Sequence, residues 1–249
     1  MGDKFNESDT LRKKEENRAR NSVHMQKGVL FIDPDACFID AEVEIAENVQ
    51  IGPWVTIKGK TKIGAGTVIE QNVYLEDAEI GENCRICQSS RIIRSSIGAG
   101  TDILLSVSID SRIGENTSVG PYAYLRPNSN IGANVKIGDF VEIKNSAIGD
   151  GTKVSHLTYV GDADLGNDIN LGCGVVFVTY DGSEKHRSVV GDSAFIGCNV
   201  NIIAPVEVGE GAYVAAGTTV TKDVPGGSLS IGRTREAILR GWKDRRKEK

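Results

Sequence analysis

A large aliphatic residue recurs at every sixth position from Ile45 through Ile51, Ile57, Ile63, Ile69 and Leu75. Alternate side chains of a strand face opposite ways, so this spacing, with small residues at the bends, stacks successive short strands around one interior ladder. Three such six-residue steps close a triangular coil. The phase slips at Ile80, Ile86 and Ile92, and again at Ile97 and Ile103. It resumes as Ile113, Val119, Leu125, Ile131, Ile137 and Ile143, and after further slips as Ile148 and Val154, then Leu165, Leu171 and Phe177. The pattern predicts an all-β solenoid, a parallel β-helix that grows by adding coils around one column of Ile, Val and Leu.

After Phe177 the segment VTYDGSEKHRSV leaves the repeat, and Val190, Ile196, Ile202, Val208, Val214 and Val220 restore it. That segment reads as a loop extruded from the solenoid. Six-residue steps from Ile45 to Val220 make about ten coils, a prism roughly 45 to 50 Å long at about 4.8 Å per strand. Residues 1–28 are strongly charged, with Leu11, Val23 and Met25 as the large aliphatic residues before Gly28, and read as a helical arm. The β-helix is assigned to 29–232. Residues 233–249 carry Arg233, Arg235, Arg240, Lys243, Arg245, Arg246, Lys247 and Lys249 and read as a short basic C-terminal helix. Arm and tail are expected to cap the two open ends.

Composition narrows the function classes. The formal net charge of −5 argues against non-specific nucleic-acid binding. No apolar run approaches the roughly 18 residues of a membrane span, and the N-terminus lacks the apolar core of a secretory signal, so the expectation is a cytoplasmic protein. Cys37, Cys84, Cys87, Cys173 and Cys198 are odd in number and scattered, which suits reduced thiols. Cys84 and Cys87 form a C-x-x-C pair without the second pair a metal needs or the βαβ context a redox motif needs; they read as small turn residues.

Unusual side chains concentrate between His156 and Gly182. A zinc hydratase needs three converging histidines, and His24, His156 and His186 fall in arm, repeat and loop, so no metal is expected. His156 alone is either structural or catalytic. Around it lie Arg126, Glu142, Lys144, Tyr159, Asn170, Tyr180 and Lys185. Cations suit a phosphorylated ligand, and a neutral imidazole suits removal of a proton from an attacking amine or hydroxyl. A wet polar face is the plain alternative.

Four stretches carry a specific resemblance: GPYAYLRPNSNIG at 120–132, GDFVEIKNSAIGDGTKVSHLTYVGDADLG at 138–166, YDG at 180–182 and APVEVGEGAYVAAGTTVTKDV at 204–224. The chain resembles the C-terminal acetyltransferase half of the bifunctional N-acetylglucosamine-1-phosphate uridyltransferase/glucosamine-1-phosphate acetyltransferase family, whose hexapeptide repeats form a left-handed parallel β-helix. Even the arm, at HMQKGVLFIDPDACFIDAEVEI, is similar to that family's interdomain helix and its entry into the β-helix. The glycine-rich nucleotide loop of the uridyltransferase half has no counterpart here, so uridylyl transfer is not expected.

The resemblance implies that His156 is the general base in transfer of acetyl from acetyl-CoA to an amino-sugar phosphate, most simply glucosamine 1-phosphate, in UDP-N-acetylglucosamine biosynthesis. It implies that Arg126, Glu142, Lys144, Tyr159, Asn170 and Lys185 hold the sugar phosphate. On the coenzyme side the matching positions are Cys173, Thr179, Tyr180, Cys198, Ala216 and Arg233. It also implies a homotrimer with sites between subunits. The family pattern has Ala at Cys173, Asn at Thr179 and usually Ser at Cys198, which leaves open another amino sugar or acyl donor, or a binding protein weakened in catalysis.

Overall fold

The computed structural model describes residues 7–240 and residue 242. Among the described residues thirty-three short strands stack in three parallel sheets of 12, 11 and 10 strands, in which each inner strand pairs with its counterparts one coil before and one coil after. We number the sheets in the order the chain visits them. The first runs from Leu30–Phe31 to Leu229–Ser230, the second from Phe38–Ile39 to Thr219–Val220 and the third from Glu44–Ile45 to Glu207–Val208. Every ladder residue named from the repeat is buried, from Ile45 to Val220. The solenoid extends past the Ile45–Val220 ladder at both ends: Val29, Cys37 and Ile39 build a coil before Ile45, and Leu229–Ser230 adds a strand after Val220.

Small hydroxyl residues bridge adjacent coils at the bends. Thr152 Oγ1 donates to the Gly166 carbonyl (2.9 Å) and accepts from the Ile169 amide (3.1 Å), so a buried hydroxyl is satisfied by the backbone above it. The exposed face of each strand is left free to vary.

Helix α1 (Glu7–Gln26) closes the first coil with polar groups. Asn17 Nδ2 donates to the Cys37 carbonyl (2.5 Å), and Asn17 Oδ1 accepts from the Ile39 amide (3.2 Å). Arg20 Nε donates to the Ile39 carbonyl (2.9 Å) and Asn21 Nδ2 to the Pro34 carbonyl (2.7 Å). These side chains supply the hydrogen bonds a preceding coil would have made, which masks an open strand edge. At the other end the expected basic helix is absent over 233–240, where the chain is irregular. Arg233 Nη1 donates to the Ala216 carbonyl (2.8 Å) and the Gly232 amide to Thr218 Oγ1 (3.1 Å), which ties the start of the segment to the last coils. The rest of that assignment, residue 241 and residues 243–249, lies outside the described residues. Among the described residues no helix is long and apolar enough to cross a membrane.

Candidate active site

His156 ends the first-sheet strand Lys153–His156, and the chain turns through Leu157 (φ 48°) into the second-sheet strand Tyr159–Gly161. One coil earlier, Asp139 stands in register with His156, and its carboxylate holds His156 Nδ1. The close approach depends on Gly138, where a Cβ would fall 1.8 Å from the Ser155 carbonyl oxygen. The hydrogen bond from His156 is the main cause that draws the Asp139 carboxyl below its ordinary range. Nδ1 is thereby occupied and Nε2 is free to exchange a proton. Asp139 was not among the residues singled out from the sequence; its signal is a position one coil before the lone repeat histidine.

The cations assemble on the second sheet. Tyr124, Glu142 and Tyr159 share one register position on successive coils, with Lys144 opposite Gly161. Arg126, immediately after Tyr124–Leu125, places Nη1 2.7 Å from Glu142 Oε1. The extruded loop brings Lys185 back over this face: the adjoining Lys185 ammonium, then burial, lowers the Lys144 pKa. Two ammonium groups held together call for an anion. Burial, followed by the charges of Asp162 and Glu142, raises the Tyr159 pKa.

Arg187, also missed, fixes the loop's return. It binds the Asp164 carboxylate and donates from Nη1 to the Asn145 carbonyl (2.9 Å) and from Nη2 to the Ala163 carbonyl (3.1 Å). At the loop's tip Asp181 accepts from the Ser183 and Glu184 amides (2.7 and 2.8 Å) and from His186 Nε2 (2.6 Å). Asp181, Glu184 and His186 are thus the loop's own clasp.

The coenzyme-side candidates split. Leu171, Ile196 and Val214 are successive register partners in the first sheet, so Cys173, Cys198 and Ala216, each two residues further on, form a column at the corner that His156 begins. Hydrogen bonds from the Gly174 amide to the His156 carbonyl (3.3 Å), from Asn199 to Cys173 (2.8 Å) and from Gly217 to Cys198 (2.8 Å) tie this column together. Arg233 closes it through the Ala216 carbonyl. Thr179, by contrast, is buried, and its carbonyl accepts the His186 amide (2.7 Å); Tyr180 is exposed and its hydroxyl donates to the Gly182 carbonyl (2.8 Å). Asn170 sits on the first sheet between Lys153 and Phe195, a face away from the cations.

The family description "Bacterial transferase hexapeptide (six repeats)" matches residues 42–76, 110–145 and 187–222. The chain carries hexapeptide repeats in these segments. Residues 146–186, with His156 and most of the extruded loop, lie between two of the matched segments. It is 49% identical over 232 residues to the bifunctional protein GlmU of Clostridioides difficile (strain 630), covering 93% of this chain and 47% of that one. It is 50% identical over 232 residues to the bifunctional protein GlmU of Caldanaerobacter subterraneus subsp. tengcongensis, with the same coverage of 93% and 47%. The chain thus spans about half the length of the curated relatives it matches. Among solved structures, an Arabidopsis UDP-N-acetylglucosamine acyltransferase superposes with a TM-score of 0.49 at 18% identity, over 78% of this chain and 69% of that one.

Proposed function

We propose that this chain is an acetyl-CoA-dependent N-acetyltransferase that converts glucosamine 1-phosphate to N-acetylglucosamine 1-phosphate. The observation that carries the reading is the meeting of two residue sets at one corner. The cations Arg126, Lys144 and Lys185 gather over the second sheet, where they suit an anion, and the Asp139–His156 pair stands at the corner that leads into that sheet. Near-half identity to GlmU proteins across most of the chain supports the same assignment.

The phosphate binds the cations, with Glu142 yielding part of its hold on Arg126 and Tyr159 donating its hydroxyl. The sugar amine then lies beside His156. Nε2 takes a proton from the amine as its nitrogen attacks the thioester carbonyl carbon, and Asp139 balances the imidazolium. The carbon–sulfur bond breaks, and the His156 imidazolium passes the amine proton to the departing sulfur, which leaves as the thiol and restores neutral His156. Gly172 and Gly174 already give their amides to the Ile196 and His156 carbonyls, so we assign the Cys173 amide to the oxyanion. The corner column of Cys173, Cys198 and Ala216, spanning roughly 15 Å from His156 at about 4.8 Å per coil, fits a long thin acyl-carrying arm. Arg233 at its end fits the anionic nucleotide of coenzyme A.

We further propose a homotrimer. Leu105, Tyr122, Phe140 and Leu157 occupy the same corner on successive coils, all at positive φ (40°, 60°, 55° and 48°). Tyr122, Phe140 and Leu157 are more than half exposed, and the Tyr122 and Phe140 rings stack at 5.4 Å. Bulky apolar side chains in a conformation costing about 1 to 3 kcal/mol each need a compensating contact, and a second copy laid on this edge would supply it and wall in His156. Five free cysteines fit a reducing cytoplasm.

The test is thiol release from acetyl-CoA with glucosamine 1-phosphate, glucosamine 6-phosphate and unphosphorylated glucosamine, for wild type and His156→Ala. Turnover with the 1-phosphate that falls by about 100-fold or more in His156→Ala is expected. Silence with all three acceptors, or full activity in the variant, would sink the assignment. A monomer in solution would sink the intersubunit site.

A further inference from the structure

We propose that Cys173 and Cys198 form a reversible disulfide that closes the corner column, a thiol switch built beside His156. Cys198 is exposed and Cys173 half-buried, and both thiols are free. They lie one coil apart at one register position, two residues beyond the paired Leu171 and Ile196, and the Asn199 amide to Cys173 carbonyl bond (2.8 Å) keeps the two coils in step there. Neighbouring strands are about 4.8 Å apart, inside the Cα separation that a disulfide accepts and short of its preferred value of roughly 5.5 to 6 Å. A bond made there is exposed and somewhat compressed, the kind that is readily reduced again.

The other cysteines cannot compete. Cys37, Cys84 and Cys87 are buried, and burial is the main cause that raises each of their pKa values. Cys84 is further engaged with the Gly98 carbonyl (3.1 Å). The oxidant is a low-molecular-weight disulfide, RSSR. The Cys198 thiolate, as the accessible sulfur, attacks one sulfur of RSSR and releases RSH. The Cys173 thiolate then attacks the Cys198 sulfur of the mixed disulfide and releases the second RSH. Two protein thiols are oxidised, RSSR is reduced to two RSH, and the two thiol protons end on the released thiols.

The consequence for coenzyme A rests on the acyl-donor reading above, whereas the cross-link does not. The experiment incubates the full chain with an excess of oxidised glutathione and follows intact mass and equilibrium binding of coenzyme A. Expected are a loss of two hydrogens without an added glutathione, a peptide map linking Cys173 to Cys198, and weakening of coenzyme A binding by at least tenfold, all reversed by a dithiol reductant. Cys198→Ser should show no loss of two hydrogens, and Cys173→Ala, deprived of the resolving thiol, should stop at a glutathione adduct on Cys198. In the wild-type chain a stable glutathione adduct, or no mass change, would overturn the switch. Cross-linked protein that binds coenzyme A as well as reduced protein would overturn the blocking role. Reduced protein that binds no coenzyme A would instead overturn the acyl-donor reading and the block with it, leaving the mass data to decide the cross-link.

Discussion

Gly161 lies beneath the Tyr159 ring, and that position separates the fold from the proposed function. A Cβ on Gly161 would stand 2.4 Å from Tyr159 Oη and 2.7 Å from Cζ, where ordinary contact begins at 3.4 Å. In Gly161→Ala the ring must therefore retreat by about 1 Å, a misplacement that can cost as much as 100-fold when it disturbs a positioned group. The atom that gives way is the far end of a half-buried side chain, and Gly161 is not among the positive-φ residues, so the backbone accommodates alanine. Stability should stay within about 1 kcal/mol. A hydrogen bond from Tyr159 to a charged phosphate contributes about 1.5 to 3 kcal/mol, and its partial exposure puts the expected loss near the lower end, about tenfold in kcat/KM. The assay is steady-state kinetics with glucosamine 1-phosphate beside a thermal melt. KM for the sugar phosphate should rise, KM for acetyl-CoA should hold, and Gly161→Ala combined with Tyr159→Phe should be little worse than either alone. An unchanged KM, or strict additivity of the two changes, would refute the argument.

Asn17→Ala should destabilise the chain by about 2 kcal/mol, because the Ile39 amide is left buried without its partner; a urea midpoint equal to wild type would show that helix α1 is no cap. The Lys144 pKa is lowered by Lys185, so a bound phosphate should raise it and draw in a proton. Phosphate affinity should then fall as pH rises through the lowered Lys144 value, and Lys185→Ala should shift that fall to higher pH; calorimetry in buffers of different ionisation heat reads the proton uptake. Asp181 raises the His186 pKa, so the clasp is fully formed below the ordinary histidine value and is lost as pH rises through the raised one. Protease cleavage within residues 181–187 should therefore increase between pH 6 and pH 9, and His186→Ala should cleave readily at both.

The interior was legible because one variable, burial on every sixth residue, dictates it. Ile45 to Val220 could be named without knowing where any coil lay. The site was only partly legible, because contacts between coils depend on coil length, and that length varies. Val119 pairs with Ile137 and Ile137 with Val154, eighteen residues in one coil and seventeen in the next. A one-residue slip moves a side chain from the outside of a strand to the inside, so Asp139 could not be set against His156 by counting. Arg187 and Lys185 sit in a loop with no period, and only the bonds to Asp164, Asn145 and Ala163 reveal where it returns. Helix α1 could be expected as a cap, but the contacts that make it one could not, because they come from Asn17, Arg20 and Asn21, which no apolar pattern marks.

The same separation of core from surface explains why the unusual residues at the proposed acyl-donor corner leave the fold intact. Phe177, next to the excursion, is buried and packs the interior, whereas Cys173 and Cys198 project from a bend and touch no part of that column. Replacing either by alanine or serine opens no core cavity, so the large penalties of core truncation do not apply. Thr179 is buried, and the bond it gives the loop comes from its carbonyl, a contact any residue type can make. The identity of positions 173 and 198 is therefore set by what passes over the corner rather than by folding. Cys173→Ala and Cys198→Ser should each melt within a few degrees of wild type, and a loss of more than about 2 kcal/mol in either would mean that the corner is structural after all.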